Sequence, residues 1–195
     1  SLLKYGGDIA VGAMTIITSI NMLVTMPLQG FTQGGQPIMS YNYGAGNVDR
    51  VKKAFFMQFG VCVGYSAIFW GLCMLMPNVL AGIFTTDAAL VEYGAWALRI
   101  YMAGIFSVGF QLACQQSFMA LGQAAISLIM AFLRKLILLI PLIFILPNFF
   151  ADKVFAVFLA EPISDIIAAA ITTIVFFTQF KKIMAKAGQT QQAAN

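Results

Sequence analysis

Histidine is absent from this 195-residue chain, and charged residues make up only 9% of it. The absence of histidine excludes imidazole proton relays and histidine-based zinc sites. A soluble domain has about a quarter charged residues, and a chain that is 61% apolar has too little polar surface to cover itself in water. The three cysteines, Cys62, Cys73 and Cys114, lie in apolar segments without CxxC spacing. We therefore interpret them as small core residues and not as metal ligands or disulfide partners.

Charges are also missing from long stretches of the sequence, among them residues 9–48, 54–86 and 100–133. A hydrocarbon core roughly 30 Å thick is crossed by about 20 apolar residues in a helix, and each stretch exceeds that length. The sequence therefore predicts an all-α, polytopic transmembrane helix bundle surrounded by the lipid bilayer. The net charge of +4 does not indicate nucleic-acid binding, because the basic residues lie at the ends of apolar runs.

Five membrane spans are predicted from the apolar runs and the residues that interrupt them. Pro27 and Pro37, with the glycines between them, predict that the first span kinks or partly unwinds. Asp87 is expected near the start of the third span and Gly122 at its end. The approximate limits of the spans are residues 9–43, 53–76, 88–121, 124–145 and 153–180.

Basic residues gather on one side of the predicted bundle. Loops on the cytoplasmic side of a membrane are enriched in lysine and arginine, so this side and the C-terminus are predicted to be cytoplasmic. Residues 1–8 are interpreted as the remnant of a preceding helix, residues 9–182 as the bundle, and residues 183–195 as a cytoplasmic polar tail. The basic residues concerned are Arg50, Lys52, Lys53, Lys181, Lys182 and Lys186.

The second half of the first span is unusually polar for a membrane helix. Gln33, Gln36 and Asn42 stand there among glycines and prolines. Polar groups at membrane depth are tolerated inside protein or beside a watery cavity, so this segment is predicted to face the protein interior. The GxxxG pairs at residues 30–34 and 60–64 would allow close helix contact.

This polar segment, together with the NVDRVKKA sequence at residues 47–54, resembles the eighth helix and following loop of the multidrug and toxic compound extrusion (MATE) family. The sequences FMALGQ at 118–123 and PISD at 162–165 also fit that family. The resemblance covers the chain apart from its tail, and implies helices 8–12 of a twelve-helix, two-lobe transporter whose N-terminal lobe is missing here. It also implies efflux of small cationic lipophilic substrates by alternating access, with H⁺ or Na⁺ as coupling ion and no cofactor.

Two acidic residues lie within the predicted fifth span. Glu161 and Asp165 are four residues apart and share a helix face, and Pro162 between them frees the carbonyl of Phe158. A carboxylate beside an unpaired carbonyl is typical of ion sites in transporters, so both acids are candidates for the coupling-ion site. In the alternative interpretation the helix starts at Ile163 and both acids lie near the outer surface.

Two basic residues, Arg134 and Lys135, lie within the predicted fourth span. They either snorkel to the cytoplasmic interface or pair with the acids of the fifth span. If the two spans form an antiparallel hairpin that turns near Phe150, Arg134 comes almost level with Asp165. An Arg134–Asp165 ion pair would be structural, and Glu161 would then be the better exchangeable carboxylate.

Glutamines supply the candidates for a substrate cavity. Gln33, Gln36, Gln111 and Gln115 are predicted to line it and orient a cationic drug, and the alternative for them is interhelical hydrogen bonding worth about 0.6 kcal/mol each. Some MATE members have an acidic residue in the inner half of the third span, whereas this chain has none over residues 100–133. This difference argues against a Na⁺ site of the usual type in this lobe.

Two other functions remain as alternatives. A lipid-linked saccharide flippase of the same superfamily would have a more cationic central cavity, and near the midplane this lobe has Arg134 and Lys135. A membrane scaffold or enzyme is the alternative outside transport. An enzyme would need convergent nucleophilic or metal-binding groups, and the sequence has no cluster of cysteine or histidine, so no enzymatic activity is predicted.

Overall fold

The structure, a computed structural model, describes residues 2–150 and 152–194, and this part of the chain is all-α. A π-helical segment at Leu133–Leu139 and short 3₁₀ turns at Met102–Gly104 and Leu146–Asn148 connect some of the helices. The α-helices are α1 (Leu2–Gly44), α2 (Val48–Leu75), α3 (Pro77–Gly82), α4 (Ala88–Tyr101), α5 (Ile105–Ala120), α6 (Ala124–Phe132), α7 (Ile140–Ile145) and α8 (Lys153–Ala194).

In the described residues, five helical stretches are long and apolar enough to cross a membrane. This confirms the predicted all-α bundle with five spans, and the spans begin and end within a few residues of the predicted limits except at the C-terminal end. They are Gly7–Gly44, Val48–Leu75, Ala88–Ala120, Ala124–Asn148 and Lys153–Gln189, which we number as the first to fifth spans.

The turns between spans follow from local sequence. Asp87 caps α4, where its Oδ1 accepts hydrogen bonds from the backbone N–H of Ala89 at 3.0 Å and of Leu90 at 3.4 Å, so two donors at the helix start are satisfied. Gly46 and Gly122 adopt φ values of 73° and 74°, which is the left-handed region that favours glycine. These residues place the first three span boundaries where the sequence predicted them.

The first span remains helical through both of its prolines, so of the two predicted outcomes, a kink or partial unwinding, the unwinding was wrong. Non-helical backbone occurs inside α1 at Gly7, with φ 61° and ψ −159°. The Leu23 carbonyl, which loses its helical partner because Pro27 has no N–H, accepts a hydrogen bond from the Tyr65 hydroxyl at 3.5 Å. A neighbouring helix can thus satisfy the freed backbone group without unwinding of the span.

The last helix extends past the predicted end of the fifth span. α8 continues without a break from Lys153 to Ala194, through the residues predicted as a polar tail. These residues are mostly alanine, glutamine and lysine, which are good helix formers, so leaving the membrane does not end the helix. Ser1 and Asn195, at the outer ends of the predicted remnant and tail, lie outside the described residues.

The third and fifth spans form the centre of the bundle. In each of them 61% of the most apolar stretch is buried, against 6% in the fourth span, which lies at the periphery. One buried cluster surrounds the rings of Phe55, Phe118 and Phe176, where α2, α5 and α8 meet. The Phe55 and Phe176 ring centroids are 4.6 Å apart, and those of Phe118 and Phe176 4.9 Å.

Close helix contact occurs at glycines other than those of the GxxxG pairs. Within the described residues, a Cβ placed on any glycine of the two pairs, residues 30, 34, 60 and 64, meets no atom within 4 Å, so these pairs make no close contact in this part of the chain. A Cβ on Gly109 would lie 2.9 Å from the Cys62 carbonyl carbon, and one on Gly104 would lie 2.7 Å from Cα of Pro162. The third span therefore uses its own glycines to approach both neighbours.

Candidate ion-coupling site

Four ionisable side chains, Arg134, Lys135, Glu161 and Asp165, meet between the fourth and fifth spans, and we call them the charged cluster. Arg134 Nε donates to Asp165 Oδ1 at 2.6 Å, the contact suggested by the hairpin register. Lys135 Nζ lies 3.3 Å from Glu161 Oε1, and Arg134 Nη2 lies 3.7 Å from the same oxygen. Two cations and two anions thus compensate each other's charge.

The two carboxylates of the charged cluster are both buried but are held differently. The side chains of Glu161 and Asp165 are 10% and 8% exposed, that of Arg134 is 20% exposed and that of Lys135 is 58% exposed. Asp165 has a short, charge-assisted hydrogen bond from a largely buried partner. The nearest basic partner of Glu161 is the more exposed Lys135 side chain at a longer distance, so the ion pairing of Glu161 is the weaker of the two.

Both carboxylates take part in the ion pairing, because Lys135 and Arg134 also reach Glu161. Two assumptions about the helices of this region need correction. The hairpin register assumed equal α-helical rise in both spans, whereas the π-helical segment at Leu133–Leu139 departs from that rise and rotation. The helix also does not start at Ile163, since α8 begins ten residues earlier at Lys153.

Backbone features fix the position of the charged cluster. The π-helical segment carries Arg134 and Lys135 and ends just before Pro141, which cannot donate a backbone hydrogen bond to the preceding turn. Ser164 Oγ donates to the Arg134 carbonyl at 3.0 Å and so ties the fifth span to the fourth. The third span packs against the fifth span beside the charged cluster. Gly104 of the third span has no side chain, so Pro162 of the fifth span can approach the Gly104 backbone.

The four candidate glutamines occupy different environments. Gln111 is 1% exposed and its Oε1 has no hydrogen-bond partner. Gln115 Nε2 donates to the Ser127 carbonyl at 3.2 Å, and Ser127 Oγ donates to the Gln115 carbonyl at 3.1 Å. Gln115 therefore makes the interhelical contact considered as its alternative role. Gln33 is exposed on α1 and Gln36 is half-buried there.

Comparison with known proteins identifies the family to which the chain belongs. A protein-family model described as MatE matches residues 1–145 of the chain. The chain belongs to the MatE family. This result confirms the resemblance inferred from the polar segment of the first span, and the MatE chain is accordingly a multi-pass membrane protein.

Individual relatives of this MatE chain include Multidrug export protein MepA of Staphylococcus aureus, which is 29% identical over 175 residues, covering 87% of this chain and 38% of MepA. A structure described as MATE multidrug transporter DinF-BH in complex with R6G is 33% identical, with a TM-score of 0.77, covering 91% of this chain and 39% of that one. A crystal structure of MATE in the bent conformation has a TM-score of 0.87 at 18% identity, covering 95% and 41%, and shows the shared fold. The chain thus spans about two fifths of the length of these relatives.

Sequence reasoning missed two polar residues inside this MatE bundle. Gln58 of α2 is 3% exposed, and its Nε2 donates to Ser117 Oγ of α5 at 3.4 Å. Its Oε1 lies against Gly35 of α1, where an added Cβ would meet it, so Gln58 links three helices. A single glutamine in the otherwise apolar middle of α2 was the available signal. Tyr101, where α4 ends, was also missed, and it lies within electrostatic reach of Glu161 and Asp165.

Other chemistries find little support in the described residues. No group of three or more cysteine, aspartate or glutamate side chains that could hold a metal ion occurs among them. Cys62, Cys73 and Cys114 are free thiols with no exposed surface, which fits their interpretation as core residues. The charged cluster is therefore the site whose chemistry we consider further.

Proposed function

We propose that the complete protein is a secondary active exporter of small cationic lipophilic compounds, driven by exchange for H⁺ or Na⁺. The observation that carries this proposal is membership of the MatE family, with similarity over about nine tenths of the chain to relatives described as a multidrug export protein and a multidrug transporter. The five spans are proposed to form part of one lobe. A second lobe, the lipid bilayer and the transported cation are then its partners.

Transport by this protein is proposed to follow alternating access between two lobes in a bacterial plasma membrane. One charge that moves across 100 mV gains about 2.3 kcal/mol, so the exchange of one ion per cycle can sustain a useful gradient of drug. In the proposed orientation the C-terminus and the basic residues beside α2 and α8 are cytoplasmic.

Glu161 is proposed as the exchangeable carboxylate and Asp165 as a structural one. Glu161 is 10% exposed, and its nearest partner is the half-exposed Lys135 at 3.3 Å. A proton or Na⁺ bound to Glu161 would neutralise the carboxylate in place of Lys135. The exposed Lys135 side chain could then move away from Glu161. Such an exchange would change the contact between the fourth and fifth spans while the 2.6 Å Arg134–Asp165 bond stays in place.

Drug efflux is favoured over the two alternatives. A saccharide flippase would need uncompensated cations in its cavity, whereas Arg134 and Lys135 are paired with Glu161 and Asp165. The relatives described above are multidrug transporters, which favours a transporter over an enzyme or a scaffold.

Efflux of a fluorescent cationic dye from cells that express the full-length protein tests this proposal, with the H⁺ and Na⁺ gradients collapsed separately. Loss of efflux with one of the two gradients identifies the coupling ion. Glu161→Gln is expected to reduce the efflux rate per folded protein more than tenfold. Glu92→Gln, the same change at an exposed acid of α4, is the matched control and should retain efflux. Efflux that survives the collapse of both gradients, or in Glu161→Gln, would contradict the proposed mechanism.

A further inference from the structure

A cavity of about 390 Å³ opens between the start of α2 and the second half of α8, at the end of the bundle opposite the α2–α3 turn. It combines two lysines with an apolar wall, and it shares no residue with the charged cluster. Its lining includes Lys52, Phe56, Phe177, Phe180, Lys181 and Met184.

The order of residues along the two helices gives this cavity a charged rim and an apolar floor. Phe56 follows Lys52 by one helical turn, and Phe177 precedes Lys181 by one turn, so each pair shares a helix face. α2 enters its charge-free run after residue 53, and α8 leaves its own at residue 180. Both ammonium groups therefore lie at the edge of the apolar layer, and both rings lie deeper within it.

The apolar floor is part of the buried core cluster where α2, α5 and α8 meet. Phe180 is 5% exposed and its ring centroid lies 5.1 Å from that of Phe176 and 5.0 Å from that of Phe55. Phe56, in contrast, is 55% exposed and its surface is open to a ligand. The cavity thus has a fixed inner wall and an accessible outer one.

The charge around the rim is positive. The Lys52 side chain is 47% exposed, and its ion pair with Asp49 is 3.8 Å long with a fully exposed carboxylate, so that pair is weak and screened. Arg50, Lys53 and Lys182 are exposed beside it on the same two helices. A ligand with a negative head and an apolar tail is complementary to this arrangement.

We propose that this cavity binds an anionic phospholipid, with the phosphate between Lys52 and Lys181 and an acyl chain along Phe56, Phe177 and Phe180. Basic pockets between membrane helices at the interface bind such headgroups. A free phosphate ion would make no use of the apolar floor, and a neutral lipid would make no use of the two lysines. The bound lipid would bridge α2 and α8, independently of whether the protein transports drugs.

The test measures lipid binding to the full-length protein in mild detergent by native mass spectrometry. The probes are dioleoyl phosphatidylglycerol, dioleoyl phosphatidylcholine and glycerol 3-phosphate. One lysine near an anionic lipid surface contributes roughly a fivefold gain in binding. The double variant Lys52→Gln/Lys181→Gln should therefore bind phosphatidylglycerol about 30-fold more weakly, at unchanged phosphatidylcholine binding.

The matched control is the double variant Lys53→Gln/Lys182→Gln, which removes two charges from the adjacent positions of the same helices but not from the cavity lining. It should bind phosphatidylglycerol within about threefold of the wild type. Equal losses in both double variants would show attraction by surface charge alone and would overturn the proposal. Equal binding of the two lipids by the wild type would overturn it without any variant, and glycerol 3-phosphate binding as strong as that of the lipid would replace it with a simple anion site.

Discussion

Asp165 is the residue that compensates the charge of the largely buried Arg134 side chain. Asp165→Asn removes the partner at 2.6 Å and leaves Arg134 with Glu161 at 3.7 Å. Removing one partner of a buried ion pair costs about 3–5 kcal/mol in proteins, and because one partial contact remains we expect about 3 kcal/mol here. The measurement is denaturant unfolding of the full-length protein in detergent.

Glu161→Gln provides the comparison for Asp165→Asn, because it leaves behind the exposed amine of Lys135. The Lys135 side chain is 58% exposed and long enough to snorkel away from the charged cluster, so the loss of stability should be clearly smaller than for Asp165→Asn. Equal losses would contradict the assignment of Asp165 as the structural carboxylate and Glu161 as the exchangeable one.

Part of the charged cluster was predictable from the sequence and part was not. The i,i+4 spacing of Glu161 and Asp165 and the hairpin register brought Arg134 to Asp165. The contact between Glu161 and Lys135 was not predicted, because the register allowed neither for a π-helical segment nor for the reach of a lysine side chain. Gln58 was missed since α2 is apolar all round, and its sequence does not show which face meets α5.

At the scale of helices, the contact between α2 and α5 depends on the absence of a side chain at Gly109. A Cβ there would lie 2.9 Å from the Cys62 carbonyl carbon and would also meet Ser66 Oγ. Backbone cannot move away as a flexible side chain can, so Gly109→Ala should destabilise the bundle by about 1–3 kcal/mol through overpacking. Thermal unfolding in detergent checks this expectation.

Gly60→Ala on the facing helix is the matched control for Gly109→Ala. A Cβ at Gly60 meets no atom within 4 Å, and alanine has a helix propensity up to about 1 kcal/mol better than glycine. This variant should unfold at the same temperature as the wild type or slightly higher. A larger loss at Gly60 than at Gly109 would mean that the GxxxG pair, and not Gly109, brings helices together.

The spans themselves were the most predictable elements, because charge-free runs longer than the bilayer core leave few other choices. Their internal geometry was less predictable. Pro27 was expected to kink or partly unwind the first span, but the span stays helical and the Tyr65 hydroxyl of the neighbouring helix donates a hydrogen bond to the freed Leu23 carbonyl. Such compensation depends on tertiary contact, and no local pattern in α1 reveals it.

At the scale of the whole molecule, the number of spans determines which turns lie on the same side of the membrane. Five crossings place the α1–α2 turn and the end of α8 on one side and the α3–α4 turn on the other. The distribution of lysine and arginine predicts that the first of these sides is cytoplasmic. The three natural cysteines are fully buried, so the unmodified protein should react little with thiol reagents, and single introduced cysteines can report this arrangement.

Ala45 and Thr86 are suitable positions for that experiment, since both are exposed in turns on opposite sides. In intact cells, a membrane-impermeant maleimide should label Thr86→Cys within minutes and should label Ala45→Cys only after the membrane is permeabilised. A cysteine at Gly188, near the end of the fifth span, should behave like that at Ala45, because four further crossings return the chain to the same side.

Labelling of Ala45→Cys and Thr86→Cys from the same side would mean that the chain does not cross the membrane between them, and the five-span bundle could not then be correct. The opposite labelling pattern at all three positions would keep the five spans and invert the orientation, which would place the basic rim of α2 and α8 outside the cell.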